Sequence, residues 1–475
     1  MTAPATFSDA IVPSAGHATS QRSDLLARLR NARAHTDELF GIVKPEFLFE
    51  RPIAERHRLA FYIGHLDAFD WNLLSTPLGL TSEHEALDTL FAFGIDPVDG
   101  QLPSDQPSDW PPLQEFLRYR RQARERLDAA LNSDGLRGND PSGIDVLLHV
   151  AIEHRQMHAE TLSYLMHRMP FDQKRAAPTH SPPTQRSVEP ETVTVASGPT
   201  TLGARGASAG FGWDNEFEAH DVDVPAFRID KYKVTNRQYL AFVDDGGYAR
   251  RDLWNDADWN WKQANSISHP AFWLLQDGQW QWRSMFEPIP LPPDWPVYVS
   301  HAEASAYARW SGGRLPTEAQ WQRAAFADRG ALFSLPFKGR AGEGMVLDPG
   351  RADEPIPTQT LPLKGTASEH ALSEPPLRFD PLAVDAAELI RSGPFPVVGM
   401  HGNGWEWTST VFAPFAGFRR FDFYPGYSEP FFDGKHFVLK GGSARTAATM
   451  LRPSFRNWFQ PHYPYVYAGF RCVNP

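Results

Sequence analysis

A chain of 475 residues is long enough for two or three domains, each with its own hydrophobic core. Its formal net charge of −11 argues against nucleic acid or an anionic membrane surface as the partner. A single cysteine, Cys472, excludes a disulfide framework, and the sequence shows neither a secretory signal nor a run of 18 apolar residues. We therefore expect a cytoplasmic protein that acts on small molecules.

The first third of the chain predicts a helical bundle. Residues 1–20 have the composition of a disordered tail, and residues 21–170 are expected to form the domain. The four predicted helices are Ser20–Leu39, Ile53–Leu74, Leu113–Leu131 and Asp145–Pro170. The stretch Gly94–Pro112 between the second and third helices is too rich in Pro and Gly for a helix and is predicted to be a long loop.

The fourth predicted helix carries two histidines four residues apart, His154 and His158. Residues at this spacing lie on one helix face, which here also carries Val150 and Leu165, so both imidazoles are expected to point inward. Burying two unpaired imidazoles among apolar side chains is costly, and a divalent metal ion removes that cost. A pair of histidines on a solvent-exposed face remains the alternative.

A third ligand must come from another helix, because Glu160 lies about 200° around the helix from His158. The best candidate is His65 in the second predicted helix, where Tyr62 and Phe69 share its apolar face. An ordinary hydrogen-bonded core histidine is the alternative for His65. Glu160 is expected to hold a neighbouring helix.

Beyond a polar linker, residues 171–189, the sequence predicts an irregular α+β domain over residues 190–475. Helices are expected at Thr235–Asp244 and His301–Ser311, with a single turn at Thr317–Trp321. Short strand-like stretches are TVTVAS, FRIDKYKV, PVYVS and HFVLKGG. Residues 330–396 read as an insertion with little regular structure.

Several ordered motifs in this region carry a family resemblance. They are FRIDKYKVTNRQYLAFVDDGGY, PVYVSHAEASAYARWSGGRLPTEAQWQRAA, GNGWEWTST and VLKGGSARTAATMLRPSFRNWFQPHYPYVYAGFRCV. Together they resemble the formylglycine-generating-enzyme-type (sulfatase-modifying-factor) domain, a C-type-lectin-like fold. With a DinB-like four-helix bundle in front of it, the chain resembles the ergothioneine-biosynthesis sulfoxide synthases over roughly residues 20–330 and 395–475. This resemblance implies a non-heme Fe(II) held by His65, His154 and His158, and O2 as the co-substrate that joins a chalcogen atom to the imidazole C2 of hercynine (trimethylhistidine).

The resemblance also assigns substrate contacts. Hercynine carries a quaternary ammonium, which aromatic faces bind well. Asn457, Trp458 and Phe459 match the substrate-binding segment of the family, with core packing as the alternative for the two rings. The GNGWEWT segment around Glu406 matches too, and we expect it to support the fold rather than contact substrate.

Three departures from the relatives concern the reaction. Residues Gly441–Arg456 contain no cysteine, which excludes formylglycine-generating activity. The loop Leu90–Pro112 contains neither Tyr nor Arg, and its four carboxylates are expected to repel a donor that itself carries carboxylates. Met157 stands where relatives carry Gln; its thioether is soft and polarizable, and we expect it to be a substrate-binding residue.

These departures resemble the selenoneine synthase branch, in which a selenosugar is the donor. Tyr424 in FDFYPGYSE is the candidate proton donor, with an ordinary half-buried tyrosine as the alternative. A hercynine sulfoxide synthase with a thiol donor is the nearest other function. A zinc-dependent DinB-type thiol transferase or hydrolase and a non-enzymatic ligand-binding protein are the alternatives of other classes.

Overall fold

The structure, a computed structural model, describes residues 15–92, 102–133, 141–175, 188–206, 210–326, 378–389 and 395–474. It confirms the predicted α+β architecture, with an N-terminal helical bundle and a C-terminal domain of short strands and helices. The predicted tail, linker and insertion lie largely outside the described residues. Of the insertion, residues 378–389 and 395–396 are described, and the first of these segments packs on the C-terminal domain, where Val384 N–H donates to Asp294 O at 2.9 Å.

In the described part of the bundle, the structure contains the four predicted long helices and one short α-helix that was not predicted. Their bounds are α1 Ala15–Ile42, α2 Leu59–Leu74, α3 Glu85–Leu90, α4 Leu113–Leu131 and α5 Pro141–Arg168. Helix α1 begins five residues before the predicted start, and α2 begins at Leu59 rather than near Ile53. Helix α1 packs on α5, and α2 packs on both α4 and α5.

A buried ion-pair network fixes α2 against α5 at the height of the histidines. The guanidinium of Arg155 donates to Asp67 and Asp70 at 2.9 and 2.7 Å, and all three side chains are almost fully buried. Arg124 on α4 also donates to Asp67 at 2.8 Å. Because Arg155 follows His154 and Asp67 lies two residues after His65, the network sets the register between the two predicted ligand helices.

The C-terminal domain is built from four small sheets and four helices within the described residues. Its strands are β1 Thr192–Val195, β2 Gly198–Leu202, β3 His220–Val224, β4 Phe227–Asp230, β5 Trp273–Gln276, β6 Gln279–Arg283, β7 Pro288–Pro290, β8 Trp405–Val411, β9 Phe437–Lys440, β10 Asn457–Phe459, β11 Ala468–Gly469 and β12 Val473–Asn474. Its helices are α6 Asn236–Asp244, α7 Asp256–Ala264, α8 His301–Trp310 and α9 Glu318–Phe326. The sheet that matters for the site has the order β10-β9-β8-β11.

Local signals explain which elements were predicted. Thr235 and Ser300 cap α6 and α8 through capping boxes, close to the predicted starts of these helices. The prediction missed α7 and the antiparallel meander β5-β6-β7, although Asp277-Gly278, with φ of 49° and 74°, is the dipeptide that a two-residue hairpin turn favours. The stretch PVYVS is not a strand; it makes an isolated bridge between Pro296 and Thr235.

Helix α5 is held by the C-terminal domain along its length. The buried carboxylate of Glu160 accepts hydrogen bonds from the Trp405 indole at 2.9 Å and from the hydroxyls of Ser443 and Thr446. The expectation that Glu160 holds a neighbouring helix is therefore wrong: it binds the other domain. No described helix is long and apolar enough to cross a membrane.

Candidate metal centre

Three histidines from α2 and α5 meet at the interface between the domains. His158 Nε2 lies 3.3 Å from His65 Nε2 and 3.0 Å from His154 Nε2. The three residues are 6%, 5% and 4% exposed in the order His65, His158, His154. The structure thus brings together the three histidines that the sequence singled out, with their Nε2 atoms converging on one point.

The orientation of His65 is set by a close approach of the backbone. Its Nδ1 lies 2.7 Å from the carbonyl oxygen of Phe91, so the proton is on Nδ1 and the lone pair of Nε2 faces the other two rings. Gly64 makes this possible, since a Cβ there would lie 2.4 Å from ring atoms of Phe91. Phe91 directly follows α3, a helix that was not predicted. The end of this helix is therefore what orients the imidazole of His65.

Aromatic neighbours stack on two of the three imidazole rings. Phe69 stacks on His154 with ring centroids 3.5 Å apart and planes 11° apart, and Phe61 stacks on His65 at 4.9 Å. Burial lowers the pKa of His65 to about 4, against the opposing effect of its bond to Phe91, and it lowers the pKa of His154 and His158 well below the usual value. All three imidazoles are consequently neutral at pH 7, as metal ligands must be.

The donor set fits a metal ion better than it fits protons. The Nε2 atom of His65 carries a lone pair and therefore needs a donor. If His158 carries its proton on Nε2, that single N–H can donate to Nε2 of His65 or to Nε2 of His154, but not to both. One lone pair is then left without a hydrogen bond from the cluster. Nitrogens about 2.1 Å from a shared ion, at right angles to one another, are about 3 Å apart, close to the separations found here. Three neutral imidazoles on one face leave open positions and suit Fe(II) or Zn²⁺.

An aromatic cap from the C-terminal domain covers the His154 side of this cluster. Tyr424 makes edge contacts with Phe69 at 5.2 Å and with His154 at 6.4 Å between ring centroids. Tyr427 lies 5.6 Å from Tyr424, and its hydroxyl donates to Met157 Sδ at 3.5 Å. The predicted tyrosine is thus beside the histidines, and a second tyrosine that was not predicted joins it.

The predicted hercynine-binding residues divide between two aromatic groups, because side chains alternate along strand β10. Trp458 stacks on Phe412 at 4.2 Å and meets Tyr427 edge-on at 5.3 Å. Phe459 stacks instead on Tyr463, at 5.4 Å.

Each group reaches the bundle through its own tyrosine. Tyr427 contacts Met157, and Tyr463 accepts a hydrogen bond from Arg56 Nε at 2.8 Å. Asn457 is the first residue of strand β10, and its side-chain oxygen accepts a hydrogen bond from the backbone N–H of Trp458.

The loop before α4 differs from its expected electrostatics. Asp105 accepts hydrogen bonds from the guanidinium groups of Arg51 and Arg58 and from the Trp110 indole, the last two at 2.8 and 2.7 Å. The expectation that this carboxylate repels an anionic donor is wrong, since two cations from the segment before α2 neutralise it. Asp109 caps the local turn at Gln106, and Asp96 and Asp99 lie outside the described residues.

Other residues beside the centre gave no signal in the sequence. Glu153, Trp213 and Arg452 form a buried hydrogen-bonded group between α5 and the C-terminal domain. They are far apart along the chain, so neither spacing nor periodicity could reveal their contact.

Comparisons with known proteins agree with this architecture. The family model described as the sulfatase-modifying factor enzyme 1-like domain matches residues 177–475, and that of the DinB superfamily matches residues 28–162.

Curated relatives match long stretches of the chain. The chain is 37% identical over 330 residues to a hercynine oxygenase of Mycolicibacterium thermoresistibile, with 68% of each chain covered. It is 33% identical over 364 residues to a hercynine oxygenase of Mycobacterium tuberculosis, covering 76% of this chain and 79% of that one. It is 30% identical over 499 residues to ergothioneine biosynthesis protein 1 of Neurospora crassa, covering 90% of this chain and 55% of that protein, so it spans about half the length of that relative.

Proposed function

This chain belongs to the hercynine oxygenase family, and we propose that it is a non-heme Fe(II), O2-dependent enzyme that forms a carbon–chalcogen bond at the imidazole C2 of hercynine. The observation that carries this proposal is the convergence of His65, His154 and His158 beneath aromatic rings of the second domain. When bound by these imidazoles, ferrous iron supplies the activation of O2 and a binding position for the chalcogen.

The reaction balances without an added reductant. The C2–H bond of hercynine and the chalcogen–H bond of the donor break, and the chalcogen–C2 bond forms. One oxygen atom of O2 is attached to the chalcogen, and the other leaves as water with both hydrogens. Carbon and chalcogen are oxidised, and O2 accepts four electrons.

The protein side chains bind hercynine, exclude water and move a proton. The trimethylammonium has no hydrogen to donate, so the aromatic faces of the Trp458 group favour it by cation–π attraction. Asn457 offers its amide to the polar end of the substrate. The hydroxyl of Tyr424, on the ring that contacts His154, delivers the proton to reduced oxygen and takes it back from C2.

The donor is proposed to be a selenosugar, which has no carboxylate. Relatives that use thiol amino acids clamp carboxylates with Arg, whereas Leu90–Pro112 contains no Arg or Lys and the nearby Arg51 and Arg58 are engaged by Asp105. The soft thioether of Met157, beside His158, is compatible with selenium. A thiol donor is the second candidate, favoured by the similarity to ergothioneine biosynthesis protein 1.

One assay separates these functions. The purified protein is reconstituted anaerobically with Fe(II), mixed with hercynine and equal amounts of a 1-selenosugar, γ-glutamylcysteine and cysteine, and then exposed to O2. We expect O2 uptake and a mass increase on hercynine that carries the selenium isotope pattern. Preferred use of γ-glutamylcysteine would contradict the selenium proposal alone. Bound zinc with no O2 uptake would contradict the oxygenase and favour the thiol transferase or the binding protein.

A further inference from the structure

A buried hydrogen-bonded group joins α5 to the C-terminal domain one residue before His154. The indole N–H of Trp213 donates to Glu153 Oε2 at 2.8 Å, and its backbone N–H donates to Glu216 Oε1 at 2.8 Å. Arg452 donates to Glu153 at 2.7 and 3.0 Å and to Glu216 at 2.9 Å. Trp213 is therefore held at both ends by carboxylates that share one guanidinium.

The ring of Trp213 supports the aromatic cap. It stacks on Tyr427 with centroids 3.9 Å and planes 24° apart, and its centroid lies 6.4 Å from that of Tyr424. Tyr427 in turn donates its hydroxyl to Met157 Sδ. A shift of the indole therefore moves both tyrosines.

Trp213 and Tyr427, the two stacked rings, each form a hydrogen bond to the same turn of α5. Glu153 and Met157 are four residues apart and lie one above the other on the helix. Each directly precedes one of the two predicted ligands of α5, His154 and His158. The stacked rings of Trp213 and Tyr427 thus span the helix turn that carries both imidazoles.

We propose that Trp213 is a positioning residue of the reaction, which holds the tyrosine cap and the two imidazoles of α5 in one geometry through its bond to Glu153. This inference rests on the proposed function. Without that bond the metal is still retained by three imidazoles, but the cap is displaced relative to them. Since small displacements of reacting groups slow a reaction strongly, the chalcogen donor then reduces O2 instead: two donor molecules lose their chalcogen-bound hydrogens, a bond forms between the two chalcogen atoms, and O2 leaves with both hydrogens as hydrogen peroxide.

The main test is Trp213→Phe, which keeps a ring for stacking and removes the N–H. A matched control is Trp282→Phe, because Trp282 is also 0% exposed and its indole also donates to a carboxylate, that of Asp380, at 2.8 Å. Three quantities are measured: bound iron, O2 consumed per hercynine converted, and the EPR spectrum of the nitric oxide adduct of the ferrous protein with hercynine. The EPR spectrum reports ligand geometry without turnover.

For Trp213→Phe we expect wild-type iron content, a kcat about 10-fold lower, at least three times more O2 consumed per product, and a broadened spectrum. For the control Trp282→Phe we expect the wild-type ratio of O2 consumed to hercynine converted and the wild-type EPR spectrum, even if its melting temperature falls. A second pair of variants tests the same bond if Trp213→Phe folds poorly. Glu153→Gln keeps an acceptor for the indole N–H and should consume O2 and hercynine in the wild-type ratio. Glu153→Met removes the acceptor and should behave as Trp213→Phe. A wild-type ratio with a wild-type spectrum in Trp213→Phe would overturn the inference. Failure of the wild-type protein to convert hercynine with any donor would instead overturn the proposed function.

Discussion

At the scale of single residues, the pairing of nitrogen lone pairs makes the histidine cluster a candidate metal site. His65 has its proton committed to the Phe91 carbonyl, and the remaining Nε2 atoms are 3.0 to 3.3 Å apart along the cluster. Protons cannot satisfy all three nitrogens at these distances, whereas a single ion can.

Replacement of either histidine of α5 should therefore remove iron. We expect His154→Ala and His158→Ala to weaken Fe(II) binding by on the order of 100-fold or more, because losing even a hydrogen-bond partner of a ligand costs roughly 10–100-fold. Metal content after dialysis measures this. His84→Asn is the control, since His84 bonds Gln122 away from the cluster. Full iron in either alanine variant would contradict the ligand assignment.

Tyr424 has a different predicted signature, because its proposed role is to move a proton rather than to bind the metal. Tyr424→Phe should lower kcat by about 100-fold, the usual size of a general acid–base contribution, with iron content unchanged. Tyr248→Phe is a suitable control, since it removes a buried hydroxyl that donates to Glu303 in the C-terminal domain. A kcat within twofold of the wild-type value would show that the proton comes from elsewhere.

At the scale of elements, helix α5 combines what the sequence could predict with what it could not. Its length and its inward-facing histidines follow from the spacing of apolar residues, and His65 follows from the same reasoning on α2. The partners of Glu153, Met157 and Glu160 could not be predicted, because they come from segments that lie far away in the chain and become neighbours only when the domains dock.

The loop before α4 shows why charge counting in one segment was misleading. Its carboxylates suggested repulsion of anions, but the cations that neutralise Asp105 belong to another segment, the one before α2. Hydrogen bonds from Trp110 and Arg58 and the charge of Arg51 outweigh desolvation and lower the pKa of Asp105. In the proposed function, the pairing of Arg51 and Arg58 with Asp105, rather than repulsion, is what disfavours a carboxylate-bearing donor.

Removing that carboxylate should change donor use. Asp105→Asn takes the countercharge from Arg51 and Arg58 next to Trp110, which meets the edge of the Phe61 ring stacked on His65. We expect kcat/KM for γ-glutamylcysteine to rise several-fold, about 1 kcal/mol of charge-assisted binding, relative to that for the selenosugar. Asp109→Asn makes the same charge change in the same loop and should leave the preference unaltered. An equal change in donor preference for the two variants would show that Arg51 and Arg58 do not select the donor.

At the scale of the whole molecule, the site exists only where the two domains meet. The bundle supplies the imidazoles, and the C-terminal domain supplies the rings above them. Lys174, just after α5, is part of this docking: its buried ammonium donates to the carbonyl oxygens of Met166 and Met285, one from each domain.

Docking should accordingly depend on pH through Lys174. Desolvation, with the nearby charges of Arg283 and Arg168, lowers the pKa of Lys174 to about 7, while Asp380 opposes the shift. The unfolded chain therefore binds more protons at this residue between pH 7 and about 10.5, so its contribution to stability rises with pH in that range and no longer changes below pH 7. Urea unfolding of the wild type and of Lys174→Met at pH 7.0 and 9.5 tests this: the stability difference, wild type minus variant, should increase at pH 9.5. A difference independent of pH would contradict it.

The most direct test of the central claim is a crystal of the Fe(II)-loaded protein soaked anaerobically with hercynine and measured at the iron absorption edge. We predict one anomalous peak about 2.1 Å from Nε2 of His65, His154 and His158, with the hercynine imidazole between this peak and Tyr424 and its trimethylammonium against Trp458 or Phe459. An iron peak away from these nitrogens, or hercynine bound outside the aromatic cap, would contradict the account.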